Sequence, residues 1–593
     1  SAASDVYKRQ VQDAQAEAQK RALPKNQKGF QQEIVLLPDT FIIVKHGKQT
    51  KRLIVSAKAE NGKSYPLRYQ KIDNNTIRIK NKVDSALHLK ITVAAKEPLE
   101  NKGWYKAAQS VARLMMMVRS VGLSYRNDYA LALPGFMPIV GDAFGQNRTP
   151  SALSPGLDFA FGFVDDGYIE RARDYDWLLM SDSIATPATS NRTEDLQLRM
   201  TLEPVRNFKI DLHASRTKTM GKSVQYMYEG NPTVLSGNFT MTTISLRSAF
   251  EGMGNANNGF YSQSFVDFCQ SLEGFRHRVE AQYQGATYPR GTSLAGETYN
   301  AANGGVNKYG SDVMVPAFLN TYTSMGGHSL DLFPAITRLL PNWTIRYSGL
   351  GKLPWFQDVF KSVTLNHAYK SVFAIGSFSS FSTFQEYMNG LGFITDPTTA
   401  APIPSSIYNI SMVSINEAFS PLLGVDVTLH NNLTAKLEYR STRVLSLSTT
   451  SVQINEAISR DWVLGLAYRI NDLHLFDSGR NRRMSRNRNK QQQAQTTTST
   501  SNSTTSNRGL NLRLDCSYRR QASISRDIAT MTSMATGGNT AFKFQFSADY
   551  NLSKLMTMTM YYDQQVNNPL LSSNSYPTTT HDFGISLKFS LTR

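Results

Sequence analysis

The chain has little cysteine and lacks long apolar runs. Cys269 and Cys516 are the only cysteines in its 593 residues. A secreted scaffold built on disulfides and a cysteine metal cluster are therefore excluded, and both thiols are expected to be unpaired. No apolar run exceeds about 15 residues, which gives no support to a transmembrane helix. The mean hydropathy of −0.35 still permits a membrane β-barrel, because barrel strands are apolar at alternate positions only and barrel loops are polar.

Patterns typical of enzymes and of metal sites are also missing. The nine histidines show no metal-binding spacing, and no Gly-x-Ser-x-Gly nucleophile turn occurs. The Gly- and Asn-rich segment 251–259 lacks the strand-then-helix context of a phosphate loop. We therefore expect no catalytic residue, no cofactor and no metal site, and a protein that is not an enzyme.

Positive charge is in excess, with 64 Lys and Arg against 46 Asp and Glu and a net charge of +18. Such an excess is typical of proteins that meet nucleic acid or an anionic membrane surface. Several of the cations lie in segment 480–490, which runs into a tract rich in Gln, Thr and Ser. The composition favours a solvated flexible loop, with contact to anionic lipid headgroups as the alternative. Nucleic acid is not expected as a partner, because no aromatic residues interleave with these cations.

The most informative pattern is strict alternation in segment 423–440. Apolar residues occupy every second position from Leu423 to Leu429 and again from Leu433 to Tyr439. The residues between them are small or polar, and Asn431-Asn432 forms the break. Period two places each set on its own face of a strand, and Asn tolerates the positive φ of a tight hairpin turn. One apolar and one polar face suit either a membrane barrel or a soluble sandwich.

Many similar runs follow from about residue 104 onward, and they favour the membrane barrel. They span about 9–12 residues, as a tilted membrane strand requires, whereas soluble strands are commonly about 5–6. Aromatic residues lie near the run ends, where an aromatic girdle is expected. The alternation predicts that these residues face the lumen: Asp426, Thr428, Lys436, Glu438, Arg440, Lys543 and Asp549. It predicts that these face lipid: Val425, Val427, Leu437, Phe544 and Leu587.

The pattern also predicts the order of domains. Residues 1–10 resemble translated sequencing-adapter sequence and are expected to be an artefact, so the chain is expected to be the tail of a longer protein. Further along, the expected parts are a linker at 11–29, a small periplasmic β-sandwich-like domain at 30–98, the barrel portion at 104–593, a helical insert around 251–340 and a low-complexity periplasmic loop at 471–508. Helices are predicted at 265–283 and 313–323. The predicted fold class is all-β, with a very large transmembrane antiparallel barrel of which this is the C-terminal part.

Loop lengths predict how the strands are oriented. Bacterial barrels have short periplasmic turns, long outer loops and a C-terminus on the periplasmic side. Counting back from Arg593 puts Asn431-Asn432 and 551–554 in the periplasm, and 448–456 and 565–580 outside. The side occupied by 251–340 stays open.

Several segments are similar to one known family. They are Leu-Ala-Leu-Pro-Gly-Phe-Met-Pro at 131–138, Pro-Gly-Leu-Asp-Phe-Ala-Phe-Gly at 155–162, Leu-Glu-Pro at 202–204, Tyr-Met-Tyr-Glu-Gly-Asn-Pro at 226–232, Pro-Asn-Trp-Thr-Ile-Arg-Tyr-Ser-Gly-Leu at 341–350, and Phe-Lys-Ser-Val-Thr-Leu-Asn-His at 360–367 with Tyr369. These segments resemble the SprA/Sov family, the outer-membrane translocon of the type IX secretion system of Bacteroidetes. The resemblance covers roughly residues 30–593.

The resemblance implies a function beyond what alternation can predict. It implies one giant barrel, of about 36 strands, in the outer membrane of a Gram-negative bacterium of the Bacteroidetes. Folded cargo with C-terminal secretion signals would leave through its lumen, and gliding motility would depend on it in some species. The implied partners are a PorV-like shuttle barrel, a periplasmic plug protein, secreted cargo proteins and outer-membrane lipid. Two departures are the tract at 480–506 and the C-terminal Arg593, where many barrels end on an aromatic residue.

Two other functions are compatible with the pattern. A different outer-membrane barrel, such as a TonB-dependent nutrient receptor, would carry an N-terminal plug domain. A soluble or surface-attached adhesive β protein would stay in solution without detergent.

Overall fold

The computed structural model describes residues 30–38, 40–48, 53–80, 86–95, 117–139, 141, 144–150, 152–165, 167–181, 186–226, 233–324, 329–388, 390–471, 473, 509–552, 556–571 and 576–590. The basic segment 480–490 and nearly all of the loop predicted at 471–508 lie outside these residues, as do 1–10 and 11–29. The chain divides into two compact units, Ser1–Val118 and Arg119–Arg593.

The first unit contains two small antiparallel sheets around one apolar core. Its strands are β1 (Phe30–Leu36), β2 (Phe41–Lys45), β3 (Leu53–Ala59), β4 (Ser64–Tyr65), β5 (Tyr69–Lys71), β6 (Thr76–Lys80) and β7 (Leu87–Ala95). The sheet orders are β1-β7-β3-β4 and β2-β6-β5. Ile77 and Ile79 of one sheet and Ile91 and Val93 of the other are fully buried in the shared core. The β-sandwich-like fold expected near the N-terminus is confirmed, and its periplasmic location stays a prediction.

The second unit is dominated by one large antiparallel sheet. Its strands are β8 (Val118–Ala132), β9 (Asn147–Arg148), β10 (Leu153–Ser154), β11 (Ala188–Val205), β12 (Phe208–Val224), β13 (Val234–Thr242), β14 (Asn342–Tyr347), β15 (Phe360–Ser380), β16 (Gln385–Met388), β17 (Leu391–Thr395), β18 (Pro402–Ser406), β19 (Tyr408–Leu429), β20 (Leu433–Ser448), β21 (Gln453–Asn471), β22 (Gly509–Asp527), β23 (Thr532–Asn551), β24 (Met556–Pro569) and β25 (Thr578–Phe589). The sheet order is β8-β11-β12-β13-β15-β19-β20-β21-β22-β23-β24-β25, with β14 attached to β12 and β15. The all-β fold class is therefore confirmed.

The strands of this sheet are longer than the alternating runs indicated. β19 has 22 residues and β15 has 21, against an expectation of about 9–12. Clean apolar alternation marks only about half of each strand, while the backbone ladder continues through the other half. We call the half near the Asn431-Asn432 turn the lower half, and the half near the turn at 449–452 the upper half. Asn432 adopts φ 66°, the left-handed conformation expected for this hairpin turn.

One strand of the sheet is interrupted in its middle. β13 and β14 both lie between β12 and β15, with β13 in the upper half and β14 in the lower half. Residues 243–341, which we call the insert, leave the sheet between them. The helices of the second unit are α1 (Leu157–Ala160), α2 (Tyr168–Asp174), α3 (Leu246–Ala249), α4 (Gln263–Ala281), α5 (Ser311–Tyr322) and α6 (Pro354–Gln357), of which α3, α4 and α5 belong to the insert.

Helix α4 follows directly from its sequence. The Ser262 hydroxyl accepts a hydrogen bond from the Phe265 backbone N–H and caps its N-terminus. Its buried residues recur at helical spacing along one side: Phe265, Phe268, Cys269, Leu272, Phe275 and Val279. The helices predicted at 265–283 and 313–323 correspond to α4 and α5. No helix among the described residues is long and apolar enough to cross a membrane.

Candidate functional site

Strand register divides the large sheet into two chemically different faces. Val425, Leu437, Leu464, Cys516 and Phe544 are paired in one row across five strands. The adjacent row pairs Asp426, Lys436, Gly465, Asp515 and Gln545. Because successive side chains point to opposite sides of a strand, these rows lie on opposite faces. We call the first the apolar face and the second the polar face.

The register groups the sequence-predicted site residues as two sets. Val425, Val427, Leu437, Phe544 and Leu587 all lie on the apolar face. The opposite face carries Asp426, Thr428, Lys436, Glu438, Arg440, Lys543 and Asp549. Which solvent each face meets stays a prediction.

Large apolar side chains are exposed on the lower half of the apolar face, although Ala548 and Tyr550 of β23 are buried there. Leu437 is 41% exposed, Ile585 61% and Leu587 56%. We call this surface, from Leu433 to Tyr439 on β20 and its paired neighbours on β21–β25, the apolar band. Monomeric soluble proteins seldom expose a continuous apolar patch of more than a few hundred Å². The band therefore requires an apolar partner.

An aromatic row marks the upper edge of the band. Tyr439, Trp462, Tyr518 and Phe542 are direct cross-strand neighbours on four adjacent strands. The Tyr439 and Trp462 rings lie 4.6 Å apart. On β20 the band extends six residues below this row, to Leu433, or roughly 20 Å along the strand. At a strand tilt of about 35–45° this is roughly 14–16 Å in height, which is less than the apolar band of about 25 Å in outer-membrane barrels.

The polar face of the same strands carries a network of polar side chains. Glu438 forms ion pairs with Arg440 and with Lys436, the latter at 2.8 Å. Asp461 and Arg519 pair at 2.9 Å. A cleft of about 210 Å³ crosses β20 to β24 on this face, lined by Arg440, Asp461, Val463, Ser517, Arg519, Ala541, Lys543 and Gln565. Charges at this density fit a surface in contact with water.

The upper half of the apolar face is covered by the insert. Phe268, Leu272 and Phe318 of the insert pack in one buried cluster with residues of five strands of the large sheet, including Phe373, Ile415 and Leu447. The apolar face, whose large side chains are exposed in the lower half, is therefore covered by protein in the upper half. The insert therefore lies at the end of the sheet opposite the Asn431-Asn432 turn, and the side of the membrane that it occupies stays a prediction.

A buried ionic triad joins the large sheet to the insert. Glu456 of β21 lies between Arg443 of β20 and Arg526 of β22, with both N–O distances at 2.6 Å. All three side chains are at most 7% exposed. Arg443 Nη1 also donates to the Ser248 carbonyl at 2.7 Å, and Arg526 Nη1 to the Phe260 carbonyl at 2.6 Å. The arginines thus satisfy backbone carbonyls of the insert, and both form ion pairs with one shared carboxylate, which compensates one of their two charges.

A second buried cluster fixes the point where the insert leaves the sheet. The Glu417 carboxylate accepts hydrogen bonds from the Tyr369 and Ser245 hydroxyls, each at 2.8 Å. The Ser245 backbone N–H donates to the Tyr369 hydroxyl at 2.7 Å. Ser371 Oγ lies 2.8 Å from Ser245 Oγ. Four groups from the insert, β15 and β19 therefore share one hydrogen-bond network.

The insert also buries an acid of its own. Asp312 lies in the first turn of α5, and its Oδ2 has no hydrogen-bond partner among the described residues. Burial raises the pKa of the Asp312 carboxyl to about 6. Among the described residues, no three His, Cys, Asp or Glu side chains group closely enough to hold a metal ion.

The sequence did not predict the ionic triad, nor that the insert covers the upper half of the apolar face. Arg443 shares the parity of Leu437 and Tyr439, and Glu456 that of Leu464, so both charges lie on the parity of the apolar face. Loop lengths predict an outer loop at 448–456, whereas Glu456 lies in β21. Charged residues therefore replace apolar ones on the same face of neighbouring strands, at one end of the sheet only. This pattern could have indicated that protein covers that end.

Comparisons with known proteins add little. No protein-family model and no curated protein matches the chain. Among solved structures, the chain is similar to the β domain of the Bordetella autotransporter Brka, with 7% identity over 68% of this chain and 92% of that chain and a TM-score of 0.18. It is also similar to OmpT, an outer membrane protein of Vibrio cholerae, with 8% identity over 67% of this chain and 89% of that chain and a TM-score of 0.16. Similarities with TM-scores this low support no conclusion about the function of this chain.

Proposed function

We propose that the large sheet is part of the wall of an outer-membrane β-barrel that conducts proteins, as the resemblance to the SprA/Sov translocons implies. The apolar face meets lipid in this proposal, and the polar face lines an aqueous lumen. Transport depends on lumen width, lumen polarity and gating by partners, without covalent chemistry.

The observation that carries the membrane part is the apolar band with its polar opposite face. The band carries exposed large apolar side chains, is continuous across neighbouring strands and is bounded by an aromatic row. A soluble adhesive β protein gives no reason for such a band, since it would place the whole band in water.

The edges of the sheet support a wide lumen. Among the described strands, β8 and β25 each pair with one neighbour only. An unpaired strand edge in lipid leaves backbone N–H and C=O groups unsatisfied at several kcal/mol each, so closure requires further strands. Barrels of about 16–18 strands already enclose an aqueous channel, and adding strands to the twelve positions of this sheet brings it towards that class.

The proposed partners follow from the resemblance alone. They are a PorV-like shuttle barrel, a periplasmic plug protein and cargo proteins with C-terminal secretion signals. The proposed location is the outer membrane of a Gram-negative bacterium of the Bacteroidetes, with the insert on the cell surface.

Fractionation and secretion assays test the two parts separately. The full-length protein should remain with outer membranes through carbonate washing and should enter solution only with detergent. Deleting its gene should leave cargo with C-terminal signals inside the periplasm, and the wild-type gene should restore export. Extraction without detergent would overturn the membrane wall. Normal export together with loss of uptake of one nutrient would instead support a TonB-dependent receptor.

A further inference from the structure

Two arginines stand on the apolar face at the upper edge of the band. Arg460 of β21 and Arg520 of β22 are direct cross-strand partners. They lie one step above Trp462 and Tyr518, which are 48% and 45% exposed. Side chains in such a pair start about 4.5–5.5 Å apart, and like charges placed there repel each other. An anion between them would remove that repulsion.

The insert ends immediately above this pair. Met253 of the insert packs on Ile458 and Ala522, the next residues upward on the same face. The Glu251 carbonyl of the insert accepts a hydrogen bond from Arg460 Nη2 at 2.6 Å. The arginine pair therefore occupies the strip between the lower edge of the insert and the aromatic row.

The Arg520 guanidinium is free to meet a ligand in this strip. It is exposed, and no hydrogen bond or ion pair to it is found in the part of the chain that the structure describes. Its neighbours on the same face are Tyr518, Ala522, Arg460 and Thr540, none of which is acidic. Glu251 of the insert accepts the Ser264 backbone N–H at 3.1 Å with its Oε1, while its Oε2 is buried without a hydrogen-bond partner among the described residues.

We propose that Arg460 and Arg520 bind the phosphate of an outer-leaflet lipid headgroup at the upper edge of the apolar band. This rests on the proposed function, because it takes the band as the lipid-facing surface and this end as the outer one. A phosphate there sits at headgroup depth, while its acyl chains lie along the band. Guanidinium groups suit phosphate because their N–H fork matches its oxygens.

The test measures binding of lipid A, a bis-phosphorylated outer-leaflet lipid, to the full-length protein in detergent micelles by native mass spectrometry. R520Q should bind about fivefold more weakly, since an arginine near a membrane surface contributes about 1 kcal/mol toward anionic lipid. R520K should retain most of the affinity. R519Q is the matched control, because it removes the same charge at the same height from the polar face and should bind like the wild type. R460Q is less clean, since it also removes the bond to Glu251.

Comparing lipid A, dephosphorylated lipid A and inorganic phosphate distinguishes a lipid headgroup from free phosphate as the ligand. Dephosphorylated lipid A should bind about as weakly to the wild type as lipid A binds to R520Q. Equal loss in R519Q and R520Q, unchanged binding of dephosphorylated lipid A, or displacement by equimolar inorganic phosphate would each overturn the proposal. Incorporation into phosphatidylcholine nanodiscs is measured first. Failure to incorporate would overturn the proposed membrane barrel as well as the headgroup site. Incorporation without preference for lipid A would overturn the headgroup site alone.

Discussion

The two halves of the apolar face differ in what covers them, although they belong to the same strands and share one register. The lower half is apolar, uncharged and exposed. The upper half combines apolar residues with the buried charges of Arg443, Glu456 and Arg526 and is covered by the insert. Lipid offers no hydrogen bonds, whereas a protein cover can supply carbonyl acceptors at fixed positions. Charge on the apolar parity therefore distinguishes a protein-covered half from a lipid-covered half.

Breaking the triad should have the largest effect on the upper half. Glu456→Gln leaves Arg443 and Arg526 buried with two charges uncompensated, and loss of one partner of a buried pair costs about 3–5 kcal/mol. We expect the insert to become sensitive to protease while the lower half stays in the membrane. Limited proteolysis of outer membranes measures this. Glu273→Gln, which removes an exposed acid on α4 of the same insert, should leave protease resistance unchanged, and equal sensitivity of the two variants would contradict the account.

Placing a charge in the lower half should have the next largest effect. Ala435→Arg puts a guanidinium in the middle of the band, where lipid-facing arginine costs about 2–4 kcal/mol. Thr434→Arg puts it on the polar face of the same strand, where little cost is expected. Membrane levels of the folded protein should fall for the first variant only. Equal levels for both would show that the two faces do not meet different solvents.

Protonation of Asp312 should stabilise the insert. The pKa of Asp312 is raised by burial from 3.8 to about 6, so the folded state binds the proton more tightly than the unfolded state. The contribution of Asp312 to the stability of the insert should therefore be greatest below pH 3.8 and fall as the pH rises to about 6, by about 1.4 kcal/mol per pH unit. Above pH 6 this contribution is constant. Asp312→Asn should flatten the profile measured by pulse proteolysis, and an unchanged profile would exclude Asp312 as its source.

Removing one aromatic residue at the boundary should have the smallest effect. Trp462→Ala removes the ring that packs against Tyr439 at the upper edge of the band, at a cost of about 1 kcal/mol. Urea unfolding of the reconstituted protein measures the loss. Val463→Ala, on the polar face of the same strand, is the control, and a larger loss in that variant would argue against an interfacial role for Trp462.

Local sequence patterns predicted the sheet and its two faces, because alternation and turn chemistry are local. The hairpin at Asn431-Asn432, the helices α4 and α5 and the grouping of all twelve site residues by face could be read from neighbouring residues. The interruption of one strand into β13 and β14 could not, since they are separated by the whole insert and joined only through β12 and β15. The triad also escaped, because its three charges come from different strands and meet only through register.

A cysteine labelling scan along β20 tests the central claim most directly. In full-length protein with Cys269 and Cys516 replaced by Ser, single cysteines at 433–448 are probed in outer membranes with water-soluble and lipid-soluble maleimides. We predict that even positions from 434 to 440 react from water, odd positions from 433 to 439 react only from lipid, and positions 443, 445 and 447 react with neither. Reaction of the odd lower positions with the water-soluble reagent as strongly as the even ones would contradict the lipid-facing band.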